Sequence, residues 1–174
     1  SAFQAKVQFV LTDIDDTLTN EGQLSATAYE SLWRLKDAGI HIIPITGRPA
    51  GWCEMIARMW PVDGIVGENG AFYFRYHHKK MQRVFAIDQN QQDQNRKKLD
   101  VIRDEVLKKV PRTAVASDQF CRINDLAIDF CEDVKPLPSS DVEKIVSIFT
   151  NHGAIAKVSS IHVNGWFGAC DKLS

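Results

Sequence analysis

The apolar run Val7-Gln8-Phe9-Val10-Leu11-Thr12 ends in Asp13-Ile14-Asp15-Asp16-Thr17, and that junction restricts the fold more than any other stretch of the chain. Branched and aromatic residues with Gln8 and Thr12 as the polar members read as a buried strand. Three carboxylates in four residues then arrive where the strand must end. Like charges this close repel, and desolvating them requires a cation or a shared proton. On extended backbone Asp13 and Asp15 project to one side and Ile14 to the other, into the protein. Two carboxyl groups then face one pocket at the mouth of a sheet. The competing reading is a solvated acidic turn that caps a helix. A calcium loop fails, because Leu18 stands where such a loop needs glycine and no glutamate follows at the required spacing.

The order of the following elements favours the pocket. Asn20-Glu21-Gly22 signals a turn, and Ser25 is an N-cap for a helix over 26–38 that Gly39 ends. Ile40-His41-Ile42-Ile43-Pro44-Ile45 reads as a second strand, with Pro44 marking an unpaired or bulged position. Pro49 suits the first turn of a helix reaching Met59. Gly64-Ile65-Val66-Gly67 is a third strand, and 72–76 with 82–87 form a hairpin around a His-Lys tip. Strand, helix, strand, helix, strand with short loops predicts a parallel, doubly wound α/β sheet. Ligands of such sheets bind beyond the carboxyl ends of the strands. Asp13, Asp15, Thr46 and Asn69 all lie just past such ends, so topology makes them converge.

From about Asp88 the pattern changes. A charged helix over 94–110, with Leu99, Ile102, Val106 and Leu107 as its apolar face, follows an amide-rich junction. Leu126-Ala127-Ile128-Asp129-Phe130 alternates like a half-exposed strand. A helix over 140–151 and two paired strands complete an α+β module. The expected organisation is therefore a core of 1–87 and 165–174, interrupted by an inserted module of 88–164.

Composition excludes several classes. Hydrophobic content of 44% and charged content of 25% suit a soluble globular protein, and 174 residues suffice for one core plus a small module. A net charge of −1 gives no reason to expect nucleic acid or an anionic membrane as partner. No apolar run approaches the roughly 20 residues that span a bilayer, and no signal-peptide h-region opens the chain. The cysteines Cys53, Cys121, Cys131 and Cys170 are scattered, as reduced thiols of a cytoplasmic protein would be.

Asp13-Ile14-Asp15-Asp16-Thr17-Leu18-Thr19, Thr46-Gly47-Arg48-Pro49 and Glu68-Asn69-Gly70-Ala71 resemble successive motifs of the haloacid dehalogenase superfamily. The chain is similar to its Cof-type and sucrose-phosphatase-like phosphatases, which insert a large α+β cap. The resemblance implies a Rossmann-like core with that cap, and Asp171-Lys172-Leu173 looks like the motif carrying the active-site lysine. The family's fourth motif, an acidic loop several tens of residues further on, does not follow, since the chain stops two residues after Lys172. A longer natural protein is the expectation.

By resemblance, Asp13 is the nucleophile. Asp15 is the general acid and then base, a role that needs it protonated while Asp13 is not. Lys172 stabilises charge on Asp13. Mg²⁺ would take the Asp13 carboxylate and the Asp15 backbone carbonyl. Thr46 and the Gly47 amide would hold the phosphoryl oxygens, with Arg48 and Asn69 beside them. A helix N-cap is an alternative for Thr46-Gly47, and a structural ion pair for Arg48. Asp16 shapes the loop, and Thr17 orients Asp15. Arg122, Asn124, His162 and Asn164 in the cap are candidates for contacting a sugar, against readings as surface or turn residues. The implied activity is Mg²⁺-dependent hydrolysis of a small phosphorylated metabolite, foremost a sugar phosphate. A hexose-phosphate mutase and a catalytically silent binding module are the alternatives. Nothing in the sequence bears on oligomeric state.

Overall fold

The computed structural model describes residues 7–172. The chain divides into two compact units, 1–86 with 170–174, and 87–169. No helix among the described residues is long and apolar enough to cross a membrane.

The first unit is an α/β structure. Strand β1 (Phe9–Thr12) is followed by a small antiparallel ribbon, β2 (Thr19–Asn20) and β3 (Gln23–Leu24). The ribbon's turn holds Glu21 and Gly22 at φ 50° and 74°, the left-handed pair that a tight hairpin demands. Helix α1 (Ala26–Asp37) starts on Ser25, whose Oγ accepts the Ala28 N–H at 3.1 Å. Strand β4 (His41–Pro44) pairs in parallel with β1, Val10 opposite Ile42. Helix α2 (Ala50–Met59) leads to β5 (Ile65–Gly67), which joins β4 through one parallel bridge, Ile45 to Val66. The antiparallel hairpin β6 (Phe72–His77) and β7 (Lys80–Phe85) extends β5. Its tip is narrower than expected, two residues, with His78 and Lys79 both at positive φ.

Pro44 explains why β4 and β5 meet so briefly. The Ile45 N–H donates to Thr12 on the β1 side, and Thr46 N–H donates to Val66 on the β5 side. Along a strand these directions alternate, so the position between Ile42 and Thr46 that should donate toward β5 is Pro44, which has no N–H. The Ile42 N–H is taken instead by the Asp63 side chain at 3.0 Å. Burial raises the Asp63 pKa, but the Ile42 N–H and His41 more than offset this and hold it below its ordinary value. A depressed carboxylate contributes stability above its unfolded pKa and loses it as pH falls through the folded one. Asp63→Ala should therefore destabilise the protein by about 1 kcal/mol near neutral pH. In urea unfolding the difference from the parent should shrink as pH falls below 3.8, the ordinary aspartate value; a gap independent of pH would refute the assignment.

Burial of β1 departs from expectation. Phe9 is 57% and Leu11 63% exposed, so the strand is half-open rather than buried. Among the described residues its ladder partner is β4 alone. The core lies on its other side, around Leu32, Ile42, Cys53, Ile56, Ile65, Phe72 and Phe74.

The second unit is α+β. Helix α3 (Gln89–Lys109) begins five residues before the expected start. Asp88 caps it by accepting the Gln91 N–H at 2.8 Å, and the amide-rich stretch bonds along one helix face, Gln89 to Asp93 and Gln91 to Asn95. Leu107, assigned to the apolar face, is 41% exposed, whereas Gln92 and Asn95 are buried. Strands β8 (Ala114–Val115) and β9 (Leu126–Asp129), helix α4 (Ser139–Asn151), and strands β10 (Ile155–Val158) and β11 (His162–Trp166) follow. The antiparallel order is β10-β11-β9-β8. Leu99, Ile102, Val106, Ile128, Ile145, Phe149 and Val163 form the core. Strand β9, expected to be half-exposed, is buried at all four residues, because it is an interior strand. Gly165 and Trp166, expected with the first unit, pair with Ala156 and Ile155. An added Cβ at Gly165 would strike the Phe149 ring, so glycine there lets α4 close on the sheet.

Candidate active site

The acidic loop turns on one carbonyl. Ile14 C=O accepts from the backbone N–H groups of Thr17, Leu18 and Thr19 and from the Thr19 hydroxyl at 3.1 Å. Asp16 sits at φ 56°, the loop-shaping position expected of it. The Ile14 side chain is buried, 3% exposed. Asp13 and Asp15, on either side, have side chains 39% and 42% exposed.

Each carboxylate holds its own cation. Asp13 Oδ1 accepts the Ile14 N–H at 2.8 Å, and its Oδ2 is ion-paired with the Lys172 ammonium. Asp15 is forked by Arg48, with Nη2 2.6 Å from Oδ1 and Nε 3.1 Å from both oxygens. Bidentate pairs of this kind fix orientation as well as charge. Arg48, not Thr17, holds Asp15; Thr17 is exposed.

Behind the carboxylates, residues 46–50 are clamped by the turn that follows β5. Thr46 is fully buried, and its Oγ1 accepts the Arg48 N–H at 3.1 Å. Helix α2 is capped from elsewhere: Glu68, 1% exposed, accepts the Ala50 N–H at 3.0 Å. A buried carboxylate at a helix N-terminus is favourably placed. Glu68 N–H donates to Arg48 C=O, and Asn69 N–H donates to Thr46 C=O. Glu68, Asn69 and Gly70 all have positive φ, at 43°, 56° and 105°. The Asn69 amide lies against Gly47, and Gly70 abuts the Asp171 carbonyl, next to Lys172. This one turn therefore reaches both the Thr46 loop and the residue that precedes Lys172.

Sequence reasoning missed Glu68 as a structural anchor; its signal was a charged residue between a strand and an Asn-Gly pair. It also passed over Trp52, four residues after Arg48, whose ring lies 4.7 Å from the guanidinium carbon.

Among the described residues no three His, Cys, Asp or Glu side chains are grouped to hold a metal ion. With the Asp15 carboxylate committed to Arg48, the donors on this loop are the partly exposed Asp13 carboxylate and the Asp15 backbone carbonyl. Two hard oxygens suit Mg²⁺, which keeps most of its waters.

The four polar residues marked in the second unit are buried. Arg122 pairs with Asp118 at 3.1 Å and Asp125 at 3.1 Å, Asn164 donates to Asp125 at 3.0 Å, and His162 Nε2 lies 2.9 Å from Glu132. Asn124 is 9% exposed. The surface reading does not hold for Arg122 and Asn164, which close a network around the fully buried Asp125, while Asn124 stands in a bend, as its turn reading has it.

A 68-residue segment is 34% identical to a phosphoglycolate phosphatase of Methanoculleus marisnigri, over 38% of this chain and 29% of that protein. The chain thus spans under a third of that relative's length. A Thermoplasma acidophilum protein of known structure superposes with a TM-score of 0.75 at 15% identity, over 97% of this chain and 68% of the other. The Synechocystis sucrose-phosphatase, crystallised with sucrose and phosphate, superposes at 0.63 and 15% identity, over 96% and 67%. At such identities the structures share a fold, a mixed α/β core of the Rossmann type. Residues 10–125, most of the chain, match the haloacid dehalogenase-like hydrolases, and with two acidic residues at the end of its first parallel strand the chain belongs to that family.

Proposed function

We propose that this protein is a Mg²⁺-dependent phosphatase acting on a small phosphorylated metabolite, with sugar phosphates the foremost class, in the reducing cytoplasm. The observation carrying this reading is the arrangement around Asp13: one oxygen fixed by its own chain, the other on Lys172. A carboxylate so held is oriented for attack rather than free to rotate.

Asp13 attacks phosphorus, and the bond from phosphorus to the alcohol oxygen breaks. Asp15, whose Oδ2 accepts only the Nε–H of Arg48 among the described residues and keeps a lone pair for a proton, gives that proton to the departing alkoxide. Asp15 then takes a proton from water as that water attacks the aspartyl-phosphate, releasing inorganic phosphate and restoring Asp13. Thr46 Oγ1 accepts from Arg48 N–H and, fully buried as it is, shapes the loop that presents the partly exposed Gly47 to the phosphoryl oxygens. Arg48 holds Asp15 in place, and Asn69 supports Gly47. Mg²⁺, when bound by Asp13 and the Asp15 carbonyl, supplies charge neutralisation for the incoming phosphate. In this reading the unit 87–169 is the cap that selects the leaving group. Two phosphatases among the similar proteins support the reaction class, and the scattered spacing of the four cysteines, with no CxxC pair, supports a reducing compartment.

The test is a panel of phosphomonoesters, including hexose phosphates and phosphoglycolate, given to the protein expressed from its complete reading frame. Release of phosphate from at least one sugar phosphate is expected with Mg²⁺, falling to background with a chelator. Turnover indifferent to the chelator would remove the metal from the proposal. Preference for phosphoglycolate would remove the sugar, and no release from any ester would remove the activity.

A further inference from the structure

The Arg48 guanidinium is held by a carboxylate and by an aromatic ring. Its edge carries the Asp15 fork, Nε and Nη2 lying 2.6 to 3.1 Å from the carboxylate. Its central carbon lies over the Trp52 ring, 4.7 Å from the centroid. These contacts restrain different motions. A fork to one carboxylate sets the direction of the guanidinium, whereas a ring beneath its central carbon limits how far the group can swing aside. Trp52 stands on the first turn of α2 and is 43% exposed, so core packing does not account for an indole at this position. The start of α2 is itself held by Glu68, which gives the ring a rigid base.

We propose that Trp52 is a positioning residue. It fixes the position of the Arg48 guanidinium and, through that fork, the orientation of the Asp15 carboxylate. The catalytic consequence rests on the phosphatase reading above; the structural coupling between Trp52 and Arg48 does not.

The experiment is a double-mutant cycle on the protein from its complete reading frame, with kcat and KM measured for Trp52→Ala, Trp52→Phe, Arg48→Ala and the Trp52→Ala, Arg48→Ala pair. Trp52→Ala is expected to lower kcat about three-fold with KM unchanged, and Trp52→Phe to recover most of that loss. In the Arg48→Ala background, Trp52→Ala should cost nothing further. Equal losses in both backgrounds would mean a merely structural role and would overturn the proposal, as would no loss in either. A second readout needs no turnover. The Arg48 Nε–H NMR signal, assigned by its absence from Arg48→Ala, should move when Trp52 becomes Ala and the ring current is lost. An unmoved signal also overturns the proposal. If the parent hydrolyses no phosphomonoester, the activity reading fails while the NMR shift still decides the coupling.

Discussion

Asp13→Asn is expected to reduce turnover of any phosphomonoester by a factor on the order of 10⁴ or more, the scale on which a removed nucleophile is felt. The substitution keeps shape and leaves an oxygen for the Ile14 N–H, so the loop built on the Ile14 carbonyl should stay folded. What it removes is the negative charge that attacks phosphorus and pairs with Lys172. Because the side chain is 39% exposed, the loss of the ion pair should cost little stability. The measurement is steady-state phosphate release by parent and variant at matched concentration, with thermal unfolding as control. A variant within ten-fold of the parent would place the nucleophile elsewhere. A variant that is dead and also unfolded would call for Asp13→Glu, which keeps the charge and displaces it.

The second large effect is expected at Gly70. Its φ of 105° is open to glycine and strained for any other residue, and an added Cβ would collide with the Asp171 carbonyl. Either the turn 68–70 or the segment carrying Lys172 must move. Gly70→Ala should cost about 1–3 kcal/mol in strain and lower turnover by roughly 10²-fold, since displacing a charged group by about 1 Å has that consequence. Gly153 supplies the control. It too has positive φ, at 76°, but an added Cβ there meets nothing within 4 Å. Gly153→Ala should show strain in its melting temperature and leave turnover alone. Equal turnover in parent and Gly70→Ala would mean that the turn does not set the position of Lys172.

The elements written in the sequence were the ones governed by neighbours along the chain. Ser25 caps α1, Gly39 follows it in a left-handed conformation at φ 74°, and the alternation of strands and helices is present in the first unit. From that order the placing of Asp13, Asp15, Thr46 and Asn69 just past strand ends could be derived, and the ends of β1 and β4 do lie side by side, because parallel strands share their carboxyl edge. Local reasoning failed where a polar stretch could go two ways. The amides of 89–95 read as a junction, yet Asp88 and bonds four residues apart make them the first turns of α3.

Burial was judged wrongly at two strands, in opposite directions, and for one reason. Whether β1 or β9 is covered depends on what lies across its face, which no period of two in its own residues can report. Leu11 is exposed because the described residues place nothing over it. Asp129 is buried because β9 runs between β8 and β11, and its carboxylate accepts three N–H groups from residues 131–133.

The sequence alone determined that three carboxylates would follow the first strand, which ends at Thr12 with Asp15 in the turn beyond it, so the turn on the Ile14 carbonyl, and not the pleat, orients them. Tertiary structure decided which cations Asp13 and Asp15 would meet. Lys172 lies 159 residues from Asp13 and Arg48 lies 33 from Asp15, separations at which only the closed fold brings charges together and hydrophobic burial, not their own attraction, does most of the work of closing it.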